Sequence, residues 1–186
     1  EDKLSICIVV DDFPPSRTSA AIQIAALAKE FARKGHVVHV IVPSSKIKAM
    51  SEIEKRDDYT VTWLRSPQTK NISNLYRFLN ELRLSTNMYK SYRATKLANI
   101  EWDLIVWYSP TIFLGKFVSN LNGSIKCRRY LIVRDIFPEW LVDLGLIKKG
   151  IVYRFLKKVA EYQYEIADII GIQSIGNLKY FDDSLK

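Results

Sequence analysis

The chain has 186 residues, 48% hydrophobic and 26% charged, which is typical of a globular protein with a substantial core. Its net charge of +8 favours an anionic partner, either nucleic acid, anionic lipid or a phosphorylated substrate. No apolar run reaches the roughly 20 residues of a membrane-spanning helix, and no signal peptide is visible. The two cysteines lie outside any C-x-x-C motif, which argues against structural zinc and favours a reducing compartment.

The first predicted elements are a strand, a helix and a second strand. Residues 4–10 (LSICIVV) form an almost continuous apolar run, typical of a parallel strand buried on both faces. After the turn-rich residues 11–16, apolar residues at helical spacing predict an amphipathic helix that ends at Gly35. Residues 37–42 (VVHVIV) predict the second strand, which Pro43 should end. Together these elements predict a βαβ unit.

The remaining elements continue the same alternation. Residues 44–58 are polar and predict a loop with a short helix. Further strands are predicted at 59–64, 103–108, 131–133 and 168–172, helices at 71–98, 111–121 and 148–167, a turn at 122–123, and a polar tail over 177–186. Six strands alternating with helices predict an α/β fold with a doubly wound parallel sheet, Rossmann-like, in a single domain.

The stretch 130–145 (YLIVRDIFPEWLVDLG) organises the chain. Its strand stops at Arg134-Asp135, and Pro138 then suits the first position of a short helix that Gly145 ends. Ligands of open α/β sheets bind outside the carboxyl ends of the strands. The sequence therefore makes this strand end the first candidate for function.

Three side chains at this strand end carry the chemistry. Asp135 or Glu139 can act as a general base or can orient a hydroxyl group, and Arg134 can pair with a phosphate or with either acid. The alternative interpretation is a helix-cap aspartate with a surface salt bridge. Ser109 and Ser174, at the ends of two other predicted strands, are further candidates for substrate binding.

The loop after the first strand is a second candidate. Ser16, Arg17 and Thr18 precede a helix N-terminus, where backbone N–H groups attract phosphate. The glycine-rich dinucleotide and P-loop motifs are absent, and simple N-capping beside a solvated arginine explains the same residues. His36 and His39 occupy poor positions for catalysis, and no cluster of ligands has metal spacing.

Two predicted helices are strongly basic and contain aromatic residues. The helix predicted at 71–98 has five basic residues against one acid, and no acid lies between Asp143 and Glu161. Such helices can lie on an anionic membrane, or they can simply expose a charged face over an ordinary core contact. Nucleic acid is the weaker alternative, because no helix-turn-helix, RRM or OB pattern is present.

Four segments in order resemble the N-terminal half of the GT-B glycosyltransferases of family 4. They are residues 11–15 (DDFPP), 34–43 (KGHVVHVIVP), 133–145 (VRDIFPEWLVDLG) and 167–181 (ADIIGIQSIGNLKYF). The third segment is most similar to the bacterial subgroup that adds amino sugars during O-antigen and capsule assembly. The resemblance spans nearly the whole chain.

The resemblance implies an enzyme that transfers a sugar with retention, without a metal and without a covalently bound cofactor. Residues 1–186 would be the acceptor-side domain, and the nucleotide-sugar donor, a co-substrate, would bind a C-terminal domain absent from the chain. Residues 16–20 take the place of the family's Gly-Gly loop. Arg134-Asp135 take the place of its frequent His-Asp pair, which makes Asp135 the candidate catalytic residue.

The resemblance also implies partners and a location. The acceptor would be a glycan, often lipid-linked, at the cytoplasmic face of the cell membrane, in the synthesis of cell-surface polysaccharide. The protein would then be cytoplasmic and peripheral on an anionic membrane. The missing half would be either a separate partner subunit or a part removed by truncation. The alternative is a non-catalytic membrane-associated subunit or scaffold.

Overall fold

A computed structural model describes residues 2–109 and 111–181 and contains one seven-stranded sheet with the order β3-β4-β2-β1-β5-β6-β7. The strands are β1 Ser5–Val9, β2 Val37–Ser44, β3 Ser51–Lys55, β4 Thr60–Arg65, β5 Trp102–Ser109, β6 Gly123–Val133 and β7 Ile169–Ile172. The α-helices are α1 Ser19–Arg33, α2 Asn74–Arg93, α3 Gly115–Ser119, α4 Glu139–Asp143 and α5 Ile151–Glu165.

All neighbouring strands pair in parallel except β3, which runs antiparallel to β4 at one edge. The predicted Rossmann-like α/β fold is therefore confirmed. The predicted loop with a short helix at 44–58 is wrong, because β3 lies inside it. The residues of β3, SEIEK, are almost fully exposed, so the strand has no buried apolar face that the sequence pattern could reveal. Its register is set by pairing with β4.

Helices cover the two faces of the sheet unequally. Helix α1 packs on one face through the buried residues Ala20, Ala21, Ile24 and Ala28. Helices α2, α3 and α5 pack on the other face, over a core that includes the fully buried Trp102 and Trp107. On the α1 face, an apolar cavity of about 330 Å³ remains between α1 and strands β5 to β7.

Several predicted boundaries differ from the observed ones. The helix predicted at 71–98 is α2 followed by a 3₁₀ turn, and the one predicted at 111–121 is a 3₁₀ turn followed by α3. Strand β6 starts at Gly123, in the predicted turn, and β2 continues through Pro43. The predicted polar tail contains a 3₁₀ helix, Ile175–Tyr180, and its residues 182–186 lie outside the described part of the chain.

The turn after β6 has nearly the predicted structure. Pro138 is the N-cap of α4 and not its first helical residue, and the Phe137–Pro138 peptide bond is cis. Gly145 has a φ of 70°, a left-handed conformation that favours glycine and ends the segment as predicted. This turn directs the chain from the strand end back over the α5 face of the sheet.

Candidate functional site

Three loops meet at the carboxyl ends of the parallel strands. The Arg134 Nη1 group, after β6, donates to Ser19 Oγ at the start of α1 over 2.9 Å. The Asn177 side chain, after β7, donates to the backbone oxygen of Arg134 over 3.2 Å. We call this surface, made of residues 11–19, 134–135 and 173–177, the polar rim. It brings together chain segments that are 115 and 43 residues apart.

A carboxylate fixes the shape of the loop after β1. Asp12 Oδ2 accepts hydrogen bonds from Ser16 Oγ and Thr18 Oγ1, each over 2.7 Å. Lys70, from the loop after β4, lies 3.4 Å from the other Asp12 oxygen. We call these four residues the Asp12 clamp. Thr18 also caps α1 by accepting from the Ala21 N–H group over 3.2 Å, so the predicted capping role of this residue is confirmed.

The two aspartates of this loop have opposite electrostatic environments. Burial raises the pKa of Asp11, against the smaller lowering effect of Lys70. Partial burial would also raise the pKa of Asp12, but hydrogen bonds from Thr18 and Ser16 together with Lys70 lower it below its ordinary value. Asp12 is therefore a stable anion that orders the loop, and its oxygens are occupied within the protein.

Arg134 and Asp135 form a pair of charged groups at the rim that solvent reaches. The Arg134 Nε atom lies 3.8 Å from Asp135 Oδ2, and their side chains are 44% and 53% exposed. A guanidinium group bound to Ser19 through one nitrogen keeps further N–H donors for a phosphate or a hydroxyl. The exposed Asp135 carboxylate can accept a hydrogen bond from a ligand hydroxyl. The pair therefore suits a ligand that carries both hydroxyl and anionic groups.

Two other predicted site residues use their side chains elsewhere, although the Arg134 N–H group donates to the backbone oxygen of Ser109 over 3.2 Å. Glu139 faces α5, where Tyr153 OH donates to it over 3.3 Å and Lys157 lies at 3.8 Å. Ser109 is buried, and its Oγ atom accepts a hydrogen bond from the Gln163 side chain over 3.3 Å. The side chains of Glu139 and Ser109 thus each have a hydrogen-bond partner within the protein.

Arg17 and Ser174 both lie exposed at the rim. In the described ranges the Arg17 side chain has no hydrogen bond or ion pair, so its charge is available to a ligand. The backbone oxygen of Ser174 accepts from the Asn177 N–H group over 3.0 Å at the start of the last 3₁₀ helix. The roles of all the predicted site residues as substrate ligands stay predictions.

Sequence reasoning missed several residues that build the rim. Asp12 belongs to the DDFPP segment, and its spacing to Ser16 and Thr18 was the available signal for a loop closed on itself. No local sequence pattern indicates a role for Lys70 or Asn177, because each contacts residues of the rim that are distant in the chain. Their contribution depends on the order of strands in the sheet.

Among residues 2–109 and 111–181, no group of three or more histidine, cysteine or acidic side chains could hold a metal ion. None of the helices in these same ranges is long and apolar enough to cross a membrane. Burial lowers the pKa of His39, whose ring packs against Trp102 at a centroid distance of 5.5 Å. His36 Nδ1 accepts a hydrogen bond from the Leu4 N–H group over 3.3 Å, so both histidines have structural contacts.

Comparison with known proteins gives matches in structure alone. No family model matches the sequence, and no curated protein matches it significantly. One similar structure is an α,α-trehalose-phosphate synthase (UDP-forming) from Burkholderia xenovorans in complex with glucose-6-phosphate, with a TM-score of 0.62 and 14% identity over 95% of this chain and 42% of that one. A trehalose-6-phosphate protein from E. coli bound with UDP-2-fluoro glucose matches with a TM-score of 0.60 and 13% identity, over 95% of this chain and 42% of that one.

The catalytic domain of starch synthase IV from Arabidopsis thaliana, bound to ADP and acarbose, matches with a TM-score of 0.51 and 14% identity, over 72% of this chain and 34% of that one. The chain spans less than half of the length of each of these structures. At such low identity the likeness concerns the fold. The chain has the Rossmann-like fold of one half of a GT-B glycosyltransferase.

Proposed function

We propose that the chain is the acceptor-binding half of a retaining glycosyltransferase that moves a sugar from a nucleotide-sugar donor to a lipid-linked glycan acceptor. The observation that carries the proposal is the exposed Arg134–Asp135 pair on a rim built from three parallel-strand ends, within the fold of a GT-B half. Ligands of open α/β sheets bind at such a rim. The resemblance of residues 133–145 favours the bacterial subgroup of O-antigen and capsule synthesis.

In the proposed reaction, the bond between the anomeric carbon of the donor sugar and the leaving nucleotide diphosphate breaks. A new bond forms from that carbon to an acceptor hydroxyl oxygen. The hydroxyl proton passes either to the leaving diphosphate or to a base. Asp135 accepts the hydrogen bond of the acceptor hydroxyl, and Arg134 holds the acceptor's phosphate. Arg17, exposed in the loop after β1, adds a second cation.

The donor would bind a second polypeptide region, since residues 1–186 match less than half of the similar structures. Those structures were solved with ADP, UDP-2-fluoro glucose or glucose-6-phosphate, which supports a nucleotide sugar as the donor. We therefore expect the 186-residue chain to bind the acceptor and to bind free nucleotide sugars only weakly.

The test is a binding experiment with a water-soluble acceptor analogue, a short-chain prenyl diphosphate N-acetylglucosamine. We expect backbone amide NMR signals of residues 16–19, 134–135 and 173–174 to shift as the analogue is added. Asp135→Asn and Arg134→Gln should each weaken binding about tenfold or more, because a charged hydrogen bond contributes about 1.5–3 kcal/mol.

The matched control is Asp143→Asn, which removes an exposed carboxylate at the end of α4, outside the rim. It should leave the affinity unchanged. An analogue that shifts signals elsewhere on the sheet, or that binds the Asp135→Asn and Asp143→Asn variants equally, would contradict the proposed site. Tight binding of UDP-sugars to the chain alone would contradict the division of labour between two halves.

A further inference from the structure

Large apolar side chains are exposed at the start of α2 and along the segment that runs from the end of α4 into α5. Leu75, Leu144, Leu146 and Ile151 have 68%, 67%, 63% and 86% of their surface exposed. The rings of Phe78 on α2 and Phe155 on α5 contact each other edge to face at 6.1 Å, so the two helices meet at this point. Scattered exposed leucines are ordinary, but a cluster on adjacent helices marks an interaction surface.

We call this surface, made of Leu75, Leu79, Leu144, Leu146, Ile151 and Phe155, the amphipathic patch. Positive charge borders it. Lys148, Lys149, Arg154 and Lys158 lie in or beside the same segment, and no acid occurs between Asp143 and Glu161. Within the described part of the chain, none of these four cations forms an ion pair.

We propose that the amphipathic patch docks the protein on an anionic lipid bilayer, with the apolar side chains inserted between headgroups. The argument is charge complementarity. Apolar side chains bordered by unpaired cations match a surface that offers hydrocarbon beneath negative headgroups. A protein partner that covered the leucines would need acids placed opposite these cations, whereas anionic lipids diffuse to them. The exposed Trp140, one turn before Leu144, is a residue type enriched at the headgroup level.

The docking surface lies beside the polar rim. Helix α2 follows the carboxyl end of β4, and α5 follows the segment that leaves the carboxyl end of β6. The N-terminal ends of both helices therefore lie at the same end of the sheet as Asp135, where the parallel strands have their carboxyl ends. Docking through them holds the rim next to the headgroups, where the phosphate and sugar of a lipid-linked acceptor would lie. This consequence rests on the proposed function, while the docking itself does not.

The test is sedimentation of the chain with vesicles that contain no acceptor and no donor. Binding to vesicles of equal parts phosphatidylglycerol and phosphatidylcholine should exceed binding to phosphatidylcholine alone and should fall as salt rises. Lys148→Glu with Lys149→Glu should weaken binding at least about 25-fold, since each cation near such a surface contributes about fivefold. Leu146→Glu with Ile151→Glu should abolish it, and both side chains are exposed, so the fold should persist.

The matched controls lie at the opposite end of the sheet. Ile125 is fully exposed near the start of β6, and Lys126 is its exposed neighbour. Ile125→Glu and Lys126→Glu should leave vesicle binding within about twofold of the wild type, the loss expected from net charge alone. Equal losses for control and patch variants, or no preference for anionic vesicles, would overturn the proposal. Acceptor-analogue binding in the absence of vesicles tests the proposed function separately.

A fluorescence measurement locates the contact. Trp102 and Trp107 are fully buried, and Trp63 lies on β4, away from α4. Brominated lipids quench tryptophans that enter the headgroup region, so the quenched signal should come from Trp140. It should disappear in Trp140→Phe, while sedimentation persists. Quenching that persists in Trp140→Phe would place a different surface on the bilayer and would overturn the proposed orientation.

Discussion

Replacing Asp12 with alanine should loosen the loop that forms one side of the polar rim. The carboxylate accepts two hydroxyl hydrogen bonds of 2.7 Å and lies 3.4 Å from Lys70. Each hydrogen bond to a partly exposed carboxylate contributes about 1 kcal/mol, and the ion pair contributes less because Lys70 is 52% exposed. We expect unfolding free energy to fall by about 2–3 kcal/mol and the melting temperature by about 5–10 °C.

The assay is urea unfolding in a double-mutant cycle of Asp12→Ala with Ser16→Ala. Because the two side chains are bonded, their losses should fall short of additivity by about 1 kcal/mol. A control cycle with Ser124→Ala, at the other end of the sheet, should be additive. If the losses of Asp12→Ala and Ser16→Ala simply add, the clamp does not act as a unit and the reasoning is refuted.

The pH dependence of the clamp follows from the direction of the pKa shift. The pKa of Asp12 is lowered in the folded protein, so its stabilising contribution is fully present above the ordinary value of 3.8. It is lost as pH falls from there through the lowered pKa. The difference between the wild type and Asp12→Ala should therefore stay constant from pH 7 to pH 5 and shrink only in stronger acid.

Three further predictions concern a closely packed glycine, the two cysteines and His39. Gly115→Ala should destabilise the protein by about 1–3 kcal/mol in urea unfolding, because the added Cβ would lie 3.2 Å from a backbone atom of α5, whereas Gly150→Ala should be nearly neutral. A thiol reagent should label Cys127 in the native protein slowly at neutral pH, because partial burial raises the pKa of its thiol, and faster as the pH rises; it should reach the fully buried Cys7 only on unfolding. Burial lowers the pKa of His39, so stability should fall as pH drops below 6.5, and His39→Gln should flatten this dependence.

The interior strands were predictable because their side chains are buried on both faces. Strand β1 has four consecutive buried residues, and the sequence predicts it within one residue at each end. Strand β3 was not predictable, since four of its five residues are exposed and its pairing with β4 alone defines it. Periodicity reports burial, and a strand without a buried face leaves no periodic signal.

The candidate site was predictable in part. The positions of Arg134 and Asp135 follow from the end of an apolar run, and the structure places them at the rim. The contact from Arg134 to Ser19 joins residues 115 positions apart, and local patterns contain no information about such lateral contacts between loops. Ser109 shows the converse case, because it follows an apolar strand as expected but is buried against Gln163.

The two margins of the sheet differ in a way that bears on self-association. One margin is β3, where Glu52, Glu54 and Lys55 project into water along the whole strand, and the other is β7, which has only four residues. A strand from another molecule that paired with β3 would lie against its charged side chains. At β7 it would meet few backbone groups with which to form hydrogen bonds. Edge-to-edge association of two copies is thus disfavoured at both margins of the sheet.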